Sequence, residues 1–190
     1  MSSTNAPFGM RPAFHPSGLD RAQALADGIL SGYTSDILKG QPVKMDTSGQ
    51  IQVAAAGDSF LGAFAGVEWT DTTGRRRVSN YWPANTAYQT GSCVAYFYSD
   101  PNIVYEIQAA GSLAQTAIGA EADLSNTTAG STTTGLSQCT LSTSVVAAGN
   151  PAQMRIVDIA PYPDNAWGDS YTIVRATISE HQYTAVANAI

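Results

Sequence analysis

The apolar positions of this chain come in short bursts separated by turn signals. Val43–Asp46 and Ile51–Ala54 flank Thr47-Ser48-Gly49 and predict a hairpin. Phe60–Thr70 is a long apolar run interrupted by Gly62 and Gly66. Glycines inside a strand predict bulges or close backbone approach. Asp71–Gly74 turns the chain, and Arg77–Trp82 returns until Pro83 ends the strand. Gly91–Tyr98 sets Cys93, Ala95 and Phe97 against Val94, Tyr96 and Tyr98, the pattern of a strand covered on both sides. Ile103, Tyr105 and Ile107 alternate with Glu106 and Gln108 and predict a half-buried strand. Met154–Ile159 and Tyr171–Ile178 are strong strands, with Val174, Ala176 and Ile178 on one face and Arg175 and Thr177 on the other. Helix signals are few. Arg21–Ala26 predicts one turn, limited by Gly28 and Gly32, and Ser112–Leu124 is the best helix candidate, broken by Gly119. The expected fold is all-β, a single β-sandwich or β-barrel domain of roughly eight to eleven strands with little helix.

The first twenty residues, MSSTNAPFGMRPAFHPSGLD, depart from this pattern. Pro7, Pro12 and Pro16 remove amide donors and push their neighbours towards extended geometry, which excludes a helix. Phe8 and Phe14 argue against a solvated tail, which is usually poor in aromatics. Residues 1–20 therefore read as an extended N-terminal arm lying on another surface, either the chain's own body or a neighbouring subunit. Residues 21–190 read as the β-rich body. Within it, Ser125–Gly135 (SNTTAGSTTTG) suits a linker or a loop at a hairpin tip. The loop is favoured, because Leu136–Ser144 resumes a strand-like pattern. The connector from Pro161 to Gly168 is expected to be ordered by Tyr162 and Trp167, and Tyr183–Ile190 to dock as a strand or a helical turn.

Composition narrows the function. Charged residues are 13% against 44% apolar, so Ser, Thr, Asn, Gln and Gly carry the polarity. That is about half the usual charged share and suits a surface packed against others. A net charge of −6 argues against direct nucleic-acid binding, which needs clustered Lys and Arg. The one basic cluster, Arg75, Arg76 and Arg77, follows a turn and reads either as a solvated hairpin tip or as a contact with an acidic partner. Cys93 and Cys139 have no zinc spacing; Cys93 reads as a buried free thiol, with a bridge to Cys139 left open. No secretory leader pattern and no stretch of about twenty apolar residues is present, so a chain made in a cytosol, without a membrane partner, is expected.

Reactive groups are sparse. His15 sits in the arm and His181 near the C-terminus, neither with a metal-binding partner spacing. No GxSxG elbow, phosphate loop or dinucleotide fingerprint occurs. Glu68 beside Trp69 and Glu106 beside Tyr105 are the candidates for a two-carboxylate glycosidase, although an exposed strand position is the simpler reading of each. Asp158, Asp164 and Asp169 lack calcium-loop spacing. The expectation is no enzyme activity, no cofactor and no metal.

Several segments in order, Asn5-Ala-Pro-Phe-Gly-Met-Arg-Pro, Lys39-Gly-Gln-Pro-Val, Tyr81-Trp82-Pro83, Asp100-Pro101-Asn102 and Asp164-Asn-Ala-Trp-Gly, resemble the capsid decoration, or cement, proteins of tailed bacteriophages. The resemblance runs from the arm to about His181. It implies a non-enzymatic virion protein, made in the host cytoplasm, that binds the capsid exterior as a homotrimer and braces major capsid proteins. It assigns capsid contact to the arm residues Asn5, Pro7, Phe8, Met10, Arg11, Pro12 and Phe14, with Arg75, Arg76 and Arg77 as further contacts. Deleting the first nineteen residues is then expected to leave the body folded and abolish attachment. The alternative from the residues alone is a carbohydrate-binding β-sandwich of adhesin type, using Trp69, Trp82 and Trp167, and after it the glycosidase.

Overall fold

The computed structural model describes residues 2–18 and 22–184. Arg21 and 185–190, which carry part of the first helix expectation and most of the tail, lie outside the described residues. The chain runs β1 (Arg11–Phe14), β2 (Gln23–Ala26), β3 (Pro42–Met45), β4 (Ile51–Val53), β5 (Gly62–Thr70), β6 (Arg76–Ser79) and β7 (Val94–Tyr98). It continues with β8 (Val104–Gln108), β9 (Glu121–Ser125), β10 (Gly130–Ser131), β11 (Leu136–Ser137), β12 (Thr140–Val145), β13 (Met154–Ile159) and β14 (Ile173–Ile178). Among the described residues the only helical element is one 3-10 turn at Gln115–Ala117.

Two antiparallel sheets make the body, as expected of an all-β sandwich. The first has the order β1-β8-β14-β13-β9-β12. The second has the order β2-β7-β5-β3-β4, with β6 also paired to β5. The first sheet curls: beyond β8, Ala109 bridges Leu141 of β12. Its concave face holds Ile107, Leu124, Leu141, Met154, Ile156 and Val174, closed by Ala63 of the second sheet and by Phe60, just before β5. The opposite face of the second sheet carries another core, in which Val43, Phe64, Val67 and Phe97 meet Ile29, Ile37 and Trp82 from irregular segments. Trp82 is fully buried and meets Trp69 and Tyr88 edge-on at 5.3 and 5.9 Å between ring centroids. Its indole N–H has no hydrogen-bond partner among the described residues.

The expected hairpin forms as β3–β4. The glycines of β5 act as expected: register against β7 shifts between Phe64 and Gly66. At Gly62 a β-carbon would stand 1.7 Å from the Tyr98 carbonyl oxygen, so only glycine permits that approach.

Four expectations change. Residues 23–26 are strand β2 rather than a helical turn, because pairing with β7 overrides local propensity. Ser112–Leu124 is a 3-10 turn followed by β9, whose edges pair with β12 and β13. β7 is covered on one face only: Ala95 and Phe97 are buried, whereas Val94, Tyr96 and Tyr98 are half-buried. β8 errs the other way, since Glu106 and Gln108 are buried as deeply as its apolar residues. Cys93 and Cys139 are both free and lie in different cores, and burial pushes their thiols up to about 11 and about 12.

Candidate functional site

The buried polar face of β8 is explained by the arm. Prolines and apolar residues favour an extended chain, and that chain docks on its own body: β1 adds to the first sheet as its edge strand beside β8. Gly9 makes the approach possible, since its φ is +73° and a β-carbon there would lie 2.7 Å from the Gly40 carbonyl oxygen. The Met10 amide donates to that carbonyl at 2.8 Å, and the Met10 side chain, 1% exposed, enters the first core. Met10 is therefore a core residue and not a surface contact in this structure. The expectation that the body folds independently of the arm changes for the same reason, because the arm supplies both an edge strand and a core side chain.

Three anchors hold the arm. The Gln108 amide accepts from the Ala6 N–H and donates to the Thr4 carbonyl, both at 3.0 Å. Ser2 bonds the Asp164 carbonyl and the Asp169 carboxylate, and its own carbonyl accepts from the Tyr171 amide. The third anchor is ionic. Arg11 meets Glu106 at 2.6 Å, Arg175 approaches the other carboxylate oxygen at 3.4 Å, and the Tyr162 hydroxyl donates to Glu106 at 2.5 Å. The Arg11 guanidinium also donates to Tyr162 and stands 4.7 Å over the Phe8 ring. Burial would raise the Glu106 carboxyl, but the hydrogen bonds from Tyr162 and Arg11 and the two positive charges outweigh it and hold it below the usual range. At the far end of β1, His15 pairs with Asp100 at 3.1 Å.

The candidate contact residues consequently have different surroundings. Asn5 is exposed, and Phe8 and Pro12 are half-buried. Phe14 is 55% exposed, and Arg11 is exposed although its head is paired. Asn5 and Pro7 line a polar cavity of about 290 Å³ shared with Asn126, Gln138 and Thr140. Between the arm and the second sheet lies an apolar cleft of about 440 Å³, lined by Phe8, Met10, Pro12, Lys39, Tyr98 and Leu136.

Arg75, Arg76 and Arg77 occupy the tip and return strand of the β5–β6 hairpin. Arg76 pairs with Glu68 at 2.6 Å and Arg77 with Asp71 at 2.9 Å. The Asp71 carboxyl is strongly lowered by the Thr73 hydroxyl, the Arg75 amide and Arg77. The loop near 125–135 lies in the connection of the β9–β12 hairpin, and its β10 pairs with β11 just beyond it as a small ribbon. It folds back onto the body: the buried Gln41 amide donates to the Thr127 carbonyl, and Asn80 donates to the Thr134 carbonyl.

The two glycosidase candidates are not brought together. Glu68 lies on β5 with Arg76 and Tyr96, whereas Glu106 lies on β8 of the other sheet with Arg11, Arg175 and Tyr162. Trp69 and Trp82 are core side chains and offer no face to a sugar, and Trp167 packs against the first core. His181 is buried, its Nδ1 accepting from the Tyr183 amide and its Nε2 facing the Ser99 carbonyl at 3.0 Å. Among the described residues no three His, Cys, Asp or Glu side chains form a metal cage.

Sequence reasoning missed the polar anchors Glu106, Gln108 and Gln41. For β8 a signal existed: an arm expected to lie on the body needs polar partners for its backbone, and the alternation of β8 supplies them. No protein family, no curated protein and no solved structure matches this chain.

Proposed function

We propose that this chain is a non-enzymatic structural protein of a tailed-phage virion, which binds the outside of the icosahedral capsid and braces neighbouring major capsid subunits. The observation that carries the reading is the margin around the docked arm. There Leu136, 43% exposed, lines an apolar cleft together with the half-buried Phe8, Pro12 and Tyr98, on a body of unusually low charge. Scattered apolar residues are ordinary on a surface, but an apolar cleft with an exposed apolar rim suits a protein interface. The ordered resemblance of the arm and loop segments to decoration proteins supports the same reading. Self-association as a trimer belongs to this proposal, as does a location on the virion exterior after synthesis in the host cytoplasm. Many copies on one shell would add avidity to a modest single contact.

Co-sedimentation with shells of the source phage, stripped of this component, tests the reading. The expected result is saturable binding at a fixed ratio to the capsid subunit. Absence of binding by the folded full chain would overturn it and bring glycan screening forward.

A further inference from the structure

The half-open face of the second sheet continues from the apolar cleft. Tyr98 lines the cleft, and Tyr96 is its neighbour on the same face of β7. The Tyr96 hydroxyl donates to Glu68, which lies opposite Val78 of β6, a valine 77% exposed. This face is flanked by cations. Lys39 lines the cleft, and Arg75, Arg76 and Arg77 stand at the hairpin beyond Glu68. Lys39 and Arg75 are exposed and make no ion pair among the described residues. Of these four, Arg76 and Arg77 are paired with Glu68 and Asp71, which leaves Lys39 and Arg75 as the unpaired cations of this group on a chain whose net charge is −6. An unpaired lysine in the cleft lining attracts negative charge to the cleft.

We propose that the cleft seats a bulky apolar side chain from an extended segment of a partner protein, and that a carboxylate following it in the segment meets Lys39. The proposal rests on the capsid reading, whose partner it describes: an acidic surface segment of the capsid subunit with an apolar anchor. The volume of about 440 Å³ is within the range of sites that enclose a large side chain or small ligand. Anchoring occurs through the side chain rather than through strand addition, because β1 already occupies the edge and Pro12 within it has no amide to donate. Apolar burial supplies the affinity, and Lys39 selects an acidic neighbour.

The test uses two short probes and the full, isotopically labelled chain. N-acetyl-Phe-Asp-Asp-amide is expected to shift the backbone amides of Lys39, Gly40, Tyr98 and Leu136 in NMR spectra, and N-acetyl-Phe-Lys-Lys-amide to leave them in place. Lys39→Glu and Leu136→Arg, both at exposed positions, are each expected to weaken the acidic probe by about tenfold, and Val157→Arg on β13 to leave it unchanged. Equal shifts with both probes, or no shift with either, would overturn the proposal. So would shifts of the same amides on raising protein concentration alone, which would show the cleft filled by a second copy. Shell co-sedimentation separates the two ideas. If the acidic probe occupies the cleft but shells do not bind, the capsid reading falls and the cleft assignment stands. If shells bind and both cleft variants bind as well as the parent chain, the cleft assignment falls and the capsid reading stands.

Discussion

The arm and the hairpin tip at 125–135 both lack a regular pattern of apolar positions, and the body holds them by different chemistry. The tip is held by neutral groups. Gln41 and Asn80 donate to its carbonyls, and the Lys39 amide and carbonyl exchange hydrogen bonds with Gly135 and Ser137. The arm adds a core methionine and Arg11, which shares the Glu106 carboxylate of β8 with Arg175. A segment held by neutral amides responds little to acid or salt, whereas one held by ions responds to acid. The difference separates a fixed part of the fold from one whose hold on the body can be adjusted.

The largest expected effect attacks the arm. Met10→Ala should lower stability by about 2–5 kcal/mol, as for other fully buried large-to-small changes, read from denaturant midpoints. A loss below about 0.5 kcal/mol would mean that the arm is dispensable to the core. Replacing the buried amides comes next. Gln108→Leu and Gln41→Leu each orphan backbone partners and should cost about 1–3 kcal/mol. Hydrogen exchange should localise the first loss to the Ala6 amide and the second to the Leu38 amide.

Acid should then separate the two segments. The Glu106 carboxyl is lowered in the folded chain, so its stabilisation is present above its unfolded value of about 4.3 and is lost as pH falls from there through the folded value. Arm amides should exchange faster on that descent while those of the tip do not, and Glu106→Gln should remove the contrast. His181 adds a milder, global slope. Burial lowers it, so stability falls as pH drops below about 6.5 towards its folded value, and His181→Gln should flatten that part of the curve. The smallest effect is expected at the tip itself, where Asn80→Ala removes an exposed hydrogen bond and should cost less than about 1 kcal/mol.

The strands were legible wherever one residue type filled one face, as in β14, where Val174 and Ala176 are buried and Arg175 and Thr177 are half-exposed. They were misjudged where a distant segment supplied the cover. Glu106 and Gln108 alternate with apolar residues as solvent-facing positions do, and the docked arm, with Tyr162 and Arg175 at Glu106, makes that face an interior. Tyr96 and Tyr98 failed in the opposite sense, because a tyrosine's apolar body and polar tip suit a half-open face as well as a core. At Ser112–Leu124, Leu113 and Ala117 keep a helical interval, but Ala122 and Leu124 shift to a period of two, and pairing in the first sheet decided the outcome. For the candidate site, the arm and its apolar character were visible in the first twenty residues. The cleft was not, since it joins Phe8, Lys39, Tyr98 and Leu136 from separate parts of the chain.

The way the first sheet ends also bears on crowding. An unprotected strand edge invites another chain to pair with it, and sheets stacked that way grow into aggregates. Here one border is the short β1, interrupted by Pro12, and β12 at the other border is partly covered where Leu141 bridges back to Ala109. Neither offers a long, regular row of free amides as a template. The first sheet built this way resists fusing edge to edge with another copy.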